Sequence, residues 1–186
     1  MDGRLLASTE MSPSYERNPT ATANAGVSTR HPSLDDGVRL WEIARDTAVL
    51  DLNSTYAYTL WCRDFADTSI VAEHDGAVAG FVSGYRRPDR PDTLFVWQVA
   101  VDAEHRGHGI ASRMLIDLLD SLAVAGVTRL ETTITASNTA SQELFGSVAK
   151  RRSSTLTVRD LFASHHISPT ESDAHEPEQL YTIDPA

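Results

Sequence analysis

From residue 27 onward, apolar positions fall into alternating and helical periods that succeed one another in a definite order. Val27–His31 reads as a short strand. Ser33 then stands as an N-cap, with Asp35 and Asp36 in the first turn, where a helix dipole favours acids. Val38, Trp41, Ile43, Ala44, Ala48 and Val49 recur at helical spacing and predict a first helix ending near Val49. Asp51-Leu52-Asn53-Ser54 breaks it and caps a second, shorter helix that carries Tyr56, Leu60, Cys62 and Phe65. Ser69–Glu73 alternates and is β-branched. His74-Asp75-Gly76 is a tight turn, and Ala77–Tyr85 is the return strand of a hairpin. Arg86–Asp92 reads as a charged loop punctuated by proline, and Thr93–Val101 is the most β-prone stretch of the chain. Past Asp102–Gly109, Ile110–Ala125 is a long amphipathic helix with Met114, Leu115, Leu118, Leu119 and Leu122 on one face, ended by Gly126. Val127–Ile134 is a strand and Asn138–Ala149 a helix. Leu156–Val158 is a short strand, Ser164–Pro177 a polar loop, and Gln179–Ile183 a last strand.

Three antiparallel strands followed by a β-α-β crossover imply an α/β mixed sheet with helices on both faces. Residues 1–25 are rich in Ser, Thr, Pro, Asn and Ala around Met11–Ala25, a composition that cannot offset its own ordering entropy. They are expected to be a disordered tail, with residues 26–186 forming one domain.

Composition narrows the function classes. The 16 Lys and Arg against 26 Asp and Glu give a formal charge of −10, which disfavours a nucleic-acid partner and suits a cationic small substrate. The single cysteine, Cys62, excludes an intrachain disulfide and reads as a packing residue. No apolar run approaches the ~18 residues of a membrane helix, and no secretory signal is recognisable at the N-terminus, so the expected location is the cytoplasm. His165, His166 and His175 raise the question of a metal; adjacent histidines do not readily share one site, and no metal is expected.

The segment with chemical content is Val99-Ala-Val-Asp-Ala-Glu-His-Arg106-Gly107-His108-Gly109-Ile110-Ala111-Ser112, where a strand gives way to a long helix. The first helical amides have no helical acceptor, and glycines let a ligand approach the backbone. With Arg106 beside them they form an anion site suited to a pyrophosphate. The alternative is a glycine-containing turn with surface charges. A Walker loop would need Lys followed by Ser or Thr, and a dinucleotide fingerprint a third glycine; neither is present.

This turn resembles that of the GCN5-related N-acetyltransferase (GNAT) family, as a shortened R-G-x-G-x-A form supplied by Arg106–Ala111. The resemblance covers roughly residues 27–160. It implies a mostly antiparallel sheet splayed between its fourth and fifth strands, with acetyl-CoA as co-substrate. Arg106, Gly107, His108, Gly109, Ile110, Ala111 and Ser112 would hold the pyrophosphate, backbone groups of Val99 and Val101 the pantetheine arm, and Asn138 would be the family's Asn after the fifth strand. Many members place a Tyr seven residues after that Asn to protonate the leaving thiolate; here the position is Phe145.

Three further blocks, Asp51–Phe65, Gly84–Asp102 and His175–Tyr181, are similar to the branch of the family that acetylates the 4-amino group of L-2,4-diaminobutyrate on the way to the compatible solute ectoine. That likeness implies a small diamino acid as partner, a homodimer, and neither nucleic acid nor membrane. Asp51 could pair with an ammonium and Tyr56 donate to a carboxylate, with Asn53 nearby; alternatively Asp51 and Asn53 merely cap the second helix. Trp97, which strict alternation puts on one face with Phe95 and Val99, walls the pocket or packs in the core. Glu176 binds the second ammonium or serves as general base, or is one more loop acid. Arg86–Arg90 faces an anionic group or solvent. Competing readings are acetylation of another amine or a protein N-terminus, and a non-catalytic acyl-CoA-binding module.

Overall fold

A computed structural model describes residues 26–168 and 175–185; the predicted tail, residues 1–25, lies outside the described residues. The elements are β1 (Val27–Arg30), α1 (Gly37–Thr47), α2 (Thr55–Asp64), β2 (Ile70–His74), β3 (Ala77–Arg87), β4 (Arg90–Val101), α3 (Ile110–Ala123), β5 (Arg129–Thr135), α4 (Thr139–Arg151), β6 (Thr155–Phe162), the single helical turn α5 (Ser164–Ile167) and β7 (Glu178–Asp184). Seven strands form one sheet in the order β1-β2-β3-β4-β5-β7-β6. Every pairing is antiparallel except β4 with β5.

Helices cover both faces, as the periodicity predicts. On one, α3 buries Ile110, Met114, Leu115, Leu118, Leu119 and Leu122, and α4 adds Phe145 and Val148. On the other, Leu40 and Ile43 of α1 and Tyr58 and Cys62 of α2 pack on Val71 and Phe81. At roughly 1.5–3 kcal/mol per fully buried large aliphatic side chain, these two layers are the main source of stability.

The β4–β5 pair is the feature that positions the site. Its ladder holds only where Thr93–Phe95 meets Arg129–Glu131; beyond Phe95 the strands part. Thr132 reaches across the gap, its hydroxyl donating to the buried Val96 carbonyl at 3.0 Å in place of a ladder bond. Below the gap, Glu131 is almost fully buried and accepts hydrogen bonds from both Arg87, at 2.8 Å, and Arg90.

Three expectations need correction. Arg86–Asp92 is not a loop: β3 and β4 run on to a two-residue turn at Pro88-Asp89, because Arg87 and Arg90 are drawn onto Glu131 rather than into solvent. The strand expected at Leu156–Val158 runs from Thr155 to Phe162; it is the outer edge of the sheet, exposed along most of its length, so its sequence carries little alternation. Phe95, Trp97 and Val99 do not share a face. Gln98 opposes Ser83 and Val96 opposes Gly84, which makes Trp97 the extra residue of a β-bulge. Phe95 and Trp97 face α2, whereas Val99 packs against the core beneath α3. A Cβ on Gly84 would lie 2.8 Å from the Phe95 carbonyl oxygen, so the backbones approach beside the bulge only because glycine is there.

Candidate active site

Beyond the bulge, the α3 side of β4 lines a groove of about 280 Å³ built from Val99, Ala100 and Val101, the turn at the head of α3, and Ala140, Ser141 and Leu144 of α4. Gly107 (φ 80°) and Gly109 (φ 75°) hold left-handed conformations that L-residues rarely adopt, and nothing lies within 4 Å of where a Cβ would stand on either. The first helical hydrogen bond runs from the Arg113 amide to the Gly109 carbonyl at 3.0 Å, leaving the Ile110, Ala111 and Ser112 amides without a helical acceptor. Arg106 donates to the Val101 carbonyl at 2.9 Å, tying the turn to the strand end. Free amides, a helix N-terminus and a guanidinium at the mouth of an open groove can hold a pyrophosphate. Of the sequence-predicted cofactor residues, Val99, Val101, Arg106, Gly107, Gly109, Ile110, Ala111 and Ser112 line this groove. His108 is exposed, with Nδ1 3.3 Å from the His105 carbonyl oxygen, and does not line it. Asn138 caps α4, accepting from the Ser141 amide at 3.1 Å, and lines the two neighbouring clefts instead.

On the other face of the gap lies a cleft of about 530 Å³. Phe95, Trp97 and Gln98 of β4 form one wall and Thr133, Ile134 and Thr135 of β5 the facing wall. Trp97 stacks on Trp61 with ring centroids 4.3 Å apart. Asp51, His175 and Glu178 bring ionisable groups to the rim.

Asp51 is not a helix cap. Ser54 caps α2, its hydroxyl accepting from the Ala57 amide at 3.3 Å. The Asp51 carbonyl accepts from Gln98 Nε2 at 3.0 Å, and Gln98 Oε1 in turn accepts from the Tyr58 hydroxyl at 3.0 Å. This buried relay fixes the α1–α2 loop onto β4 and leaves the Asp51 carboxylate 3.6 Å from His175 Nε2. Asn53 donates to the Asp51 carbonyl and does not line the cleft; Tyr56 is 73% exposed and stands outside it. Glu176 accepts from the Ser137 amide at 3.2 Å and lines an adjoining cleft of about 460 Å³ with Val49, Ser137, Asn138 and His175. The acid of this segment that lines the larger cleft is Glu178, its carboxylate 3.9 Å from His175 Nε2.

His175 titrates above the ordinary imidazole value. The hydrogen bond to the Glu176 carbonyl is the main cause, and the Asp51 and Glu178 carboxylates add to it. Phe145 has no ionisable proton and Tyr181 is buried between β5 and β6, so neither offers an exposed proton. Gln98 and Glu178 are site residues that sequence reading passes over, and His175 enters it only in the question of a metal. Glu178 lies two residues beyond Glu176 in the block His175-Glu176-Pro177-Glu178, and nothing in that sequence tells which of the two acids turns into the larger cleft.

Residues 37–148 match the model of the acetyltransferase (GNAT) family. The chain is 52% identical over 156 residues to the L-2,4-diaminobutyric acid acetyltransferase of Nocardia farcinica, covering 84% of this chain and 79% of that one. It is 51% identical over 165 residues to the same enzyme of Streptomyces coelicolor, covering 88% and 95%. Its structure superposes with a TM-score of 0.80 on the diaminobutyrate acetyltransferase EctA of Paenibacillus lautus, solved with L-2,4-diaminobutyric acid and coenzyme A, at 45% identity over 86% of this chain and 95% of that one. The ribosomal-protein-S18-alanine N-acetyltransferase of Escherichia coli shares the fold at 19% identity, with a TM-score of 0.62 over 86% and 95% of the two chains.

Proposed function

The chain belongs to the acetyltransferase (GNAT) family, and from that premise we propose that it moves the acetyl group of acetyl-CoA onto the 4-amino group of L-2,4-diaminobutyrate, a step toward ectoine. One observation carries the choice of acceptor. Neighbouring residues of β4 line both compartments: Val99, Ala100 and Val101 line the groove with the free helix amides, and Phe95, Trp97 and Gln98 line a cleft whose rim carries Asp51, Glu178 and His175. A pyrophosphate belongs with the first set of groups and a substrate carrying two ammonium groups with the second.

In this reading the turn Arg106–Ser112 grips the pyrophosphate, with His108 at its outer edge. The edge of β4 at Val99 and Val101 aligns the pantetheine arm in the gap left by β5. Bound there, the coenzyme supplies an acetyl thioester, the electrophile of the reaction. Asp51 and Glu178 hold the ammonium groups and the Trp97 ring walls the cleft and faces a cation. Asn53 on the α1–α2 loop and Tyr56 in the first turn of α2 stand outside the cleft, Asn138 lies at the junction of the clefts, and Glu176 at the neighbouring mouth. Amine attacks thioester directly, and Cys62 takes no part; burial pushes its thiol up to about 11. A homodimer in the cytoplasm completes the proposal.

The test is thiol release by purified protein with acetyl-CoA and L-2,4-diaminobutyrate, beside ornithine, lysine and spermidine, with the product identified by NMR. Selective turnover with the acetyl group on the 4-nitrogen is expected. Acetyl-CoA binding without turnover on any diamine would instead move the reading to a protein acceptor or an acyl-CoA-binding module.

A further inference from the structure

The amine must shed a proton before its lone pair can attack a thioester, so the cleft needs a base. Glu176, the acid that the chain order suggests, is turned toward the Ser137 amide in the adjoining cleft. His175 lines both clefts. Its Nδ1 lies 2.8 Å from the Glu176 carbonyl oxygen. A carbonyl oxygen only accepts, so Nδ1 is the protonated nitrogen in the neutral ring. The Nε2 lone pair is then left on the cleft side, with the Asp51 and Glu178 carboxylates 3.6 and 3.9 Å away. The Ser168 hydroxyl accepts from the His175 amide at 2.7 Å and fixes the backbone beneath the ring.

We propose that His175 is the general base of the acetyl transfer, with Nε2 as the proton acceptor and Asp51 and Glu178 stabilising the imidazolium that forms. This rests on the diaminobutyrate reading above and deepens it. The substrate ammonium gives one proton to Nε2. The freed lone pair forms the N–C bond to the acetyl carbonyl as the C–S bond breaks. The second nitrogen proton leaves with the thiolate to give the thiol, and His175 returns its proton to water. One thioester and one ammonium yield one amide, one thiol and one proton.

The same arrangement accounts for the company His175 keeps. A carboxylate facing an imidazole within 4 Å favours the charged ring, as does the acceptor at Nδ1. Both effects place the protonation event above the ordinary imidazole value, the direction that holds for His175. Among the described residues, the charged or titratable groups around the cleft are Asp51 on the α1–α2 loop, Glu178 on β7, Glu176 beside the ring and the Tyr85 hydroxyl on β3. None of them is a cation that would oppose the charged ring.

The test combines a readout free of catalysis with one that depends on it. In the enzyme without ligands, a long-range proton–nitrogen NMR spectrum of the His175 ring at alkaline pH is expected to show the proton on Nδ1; a proton on Nε2 would overturn the proposal. In steady-state assays, His175→Gln is expected to lower kcat with diaminobutyrate by about 100-fold or more, within the usual span for loss of a general base. It should also remove the acidic limb of kcat/KM and leave acetyl-CoA affinity unchanged. Asp51→Asn and Glu178→Gln should shift that limb to lower pH, and Glu176→Gln should keep it whatever its effect on rate. Turnover by His175→Gln within about 3-fold of wild type, or loss of the limb in Glu176→Gln alone, refutes the role of His175 while leaving the acceptor reading intact. A wild-type protein that acetylates no diamine refutes both.

Discussion

Replacing Thr132 by Val tests whether the parting of β4 from β5 is a built feature. The two side chains are nearly the same shape, so the exchange removes one hydroxyl and little else. Thr132 is 4% exposed and Val96 1%, and the bond between them is 3.0 Å long. Without it the Val96 carbonyl has lost the ladder partner that β5 would have supplied and has no room for bulk water. An orphaned buried acceptor costs about 1–3 kcal/mol. The methyl that replaces the hydroxyl returns up to about 0.8 kcal/mol. A net loss of about 1.5 kcal/mol is expected, which lowers Tm by about 3–6 °C in a domain of this size. Urea unfolding should give the same difference with an unchanged m-value. Because the tie sits three residues before Val99, the acetyl-CoA affinity of the variant should fall as well. A stability within about 0.3 kcal/mol of wild type would mean that the carbonyl has another partner, and the account of the gap would be wrong.

Other outcomes follow from the site and the core. Gly109→Val, at φ 75° with open space before the helix amides, should leave a folded protein that has lost about 1–2 kcal/mol to backbone strain and at least about 10-fold in acetyl-CoA affinity, measured by calorimetry. Asp51→Asn should raise KM for diaminobutyrate by about 10-fold or more without changing acetyl-CoA affinity; equal loss of both would remove Asp51 from the acceptor site. Glu131→Gln leaves Arg87 and Arg90 facing a neutral group. Since both arginines are about a third exposed, the cost should fall at or below the low end of the range for broken buried pairs, about 2–3 kcal/mol by urea unfolding. Cys62, pushed up to about 11, should react with iodoacetamide at pH 8 at least about 100-fold more slowly than an unperturbed thiol, and Cys62→Ala should retain full turnover.

The parts of this molecule that were legible in the sequence are those where one face of an element is buried and the other is wet. The stripe of Met114, Leu115, Leu118, Leu119 and Leu122 specified α3, and the positive-φ glycines after β4 marked its head. Where burial is shared differently, the same reasoning fails in ways that have physical causes. Arg86–Asp92 has the composition of a solvated loop, because nothing local reveals that Glu131, forty residues on, will draw two of its arginines onto the sheet. β6 loses its alternation after Val158 because it has almost no buried side to alternate with. The bulge at Trp97 is invisible for a subtler reason. Alternation is intact on each side of it, and only the pairing with β3 reveals that the phase has slipped by one residue.

That slip decides which compartment each residue of β4 serves. A regular strand would have sent Trp97 and Val99 to the same cleft. The bulge instead sends the tryptophan to the larger cleft and the valine to the groove, so a single strand can wall two compartments at their junction. The candidate base shows the same limit at closer range. Glu176 and His175 are neighbours in sequence, and the sequence reading offers only Glu176 as the base. They differ in the partners that fix them, a Ser137 amide for the acid and the Glu176 carbonyl for the imidazole, and those partners come from the folded backbone, which side-chain patterning does not encode.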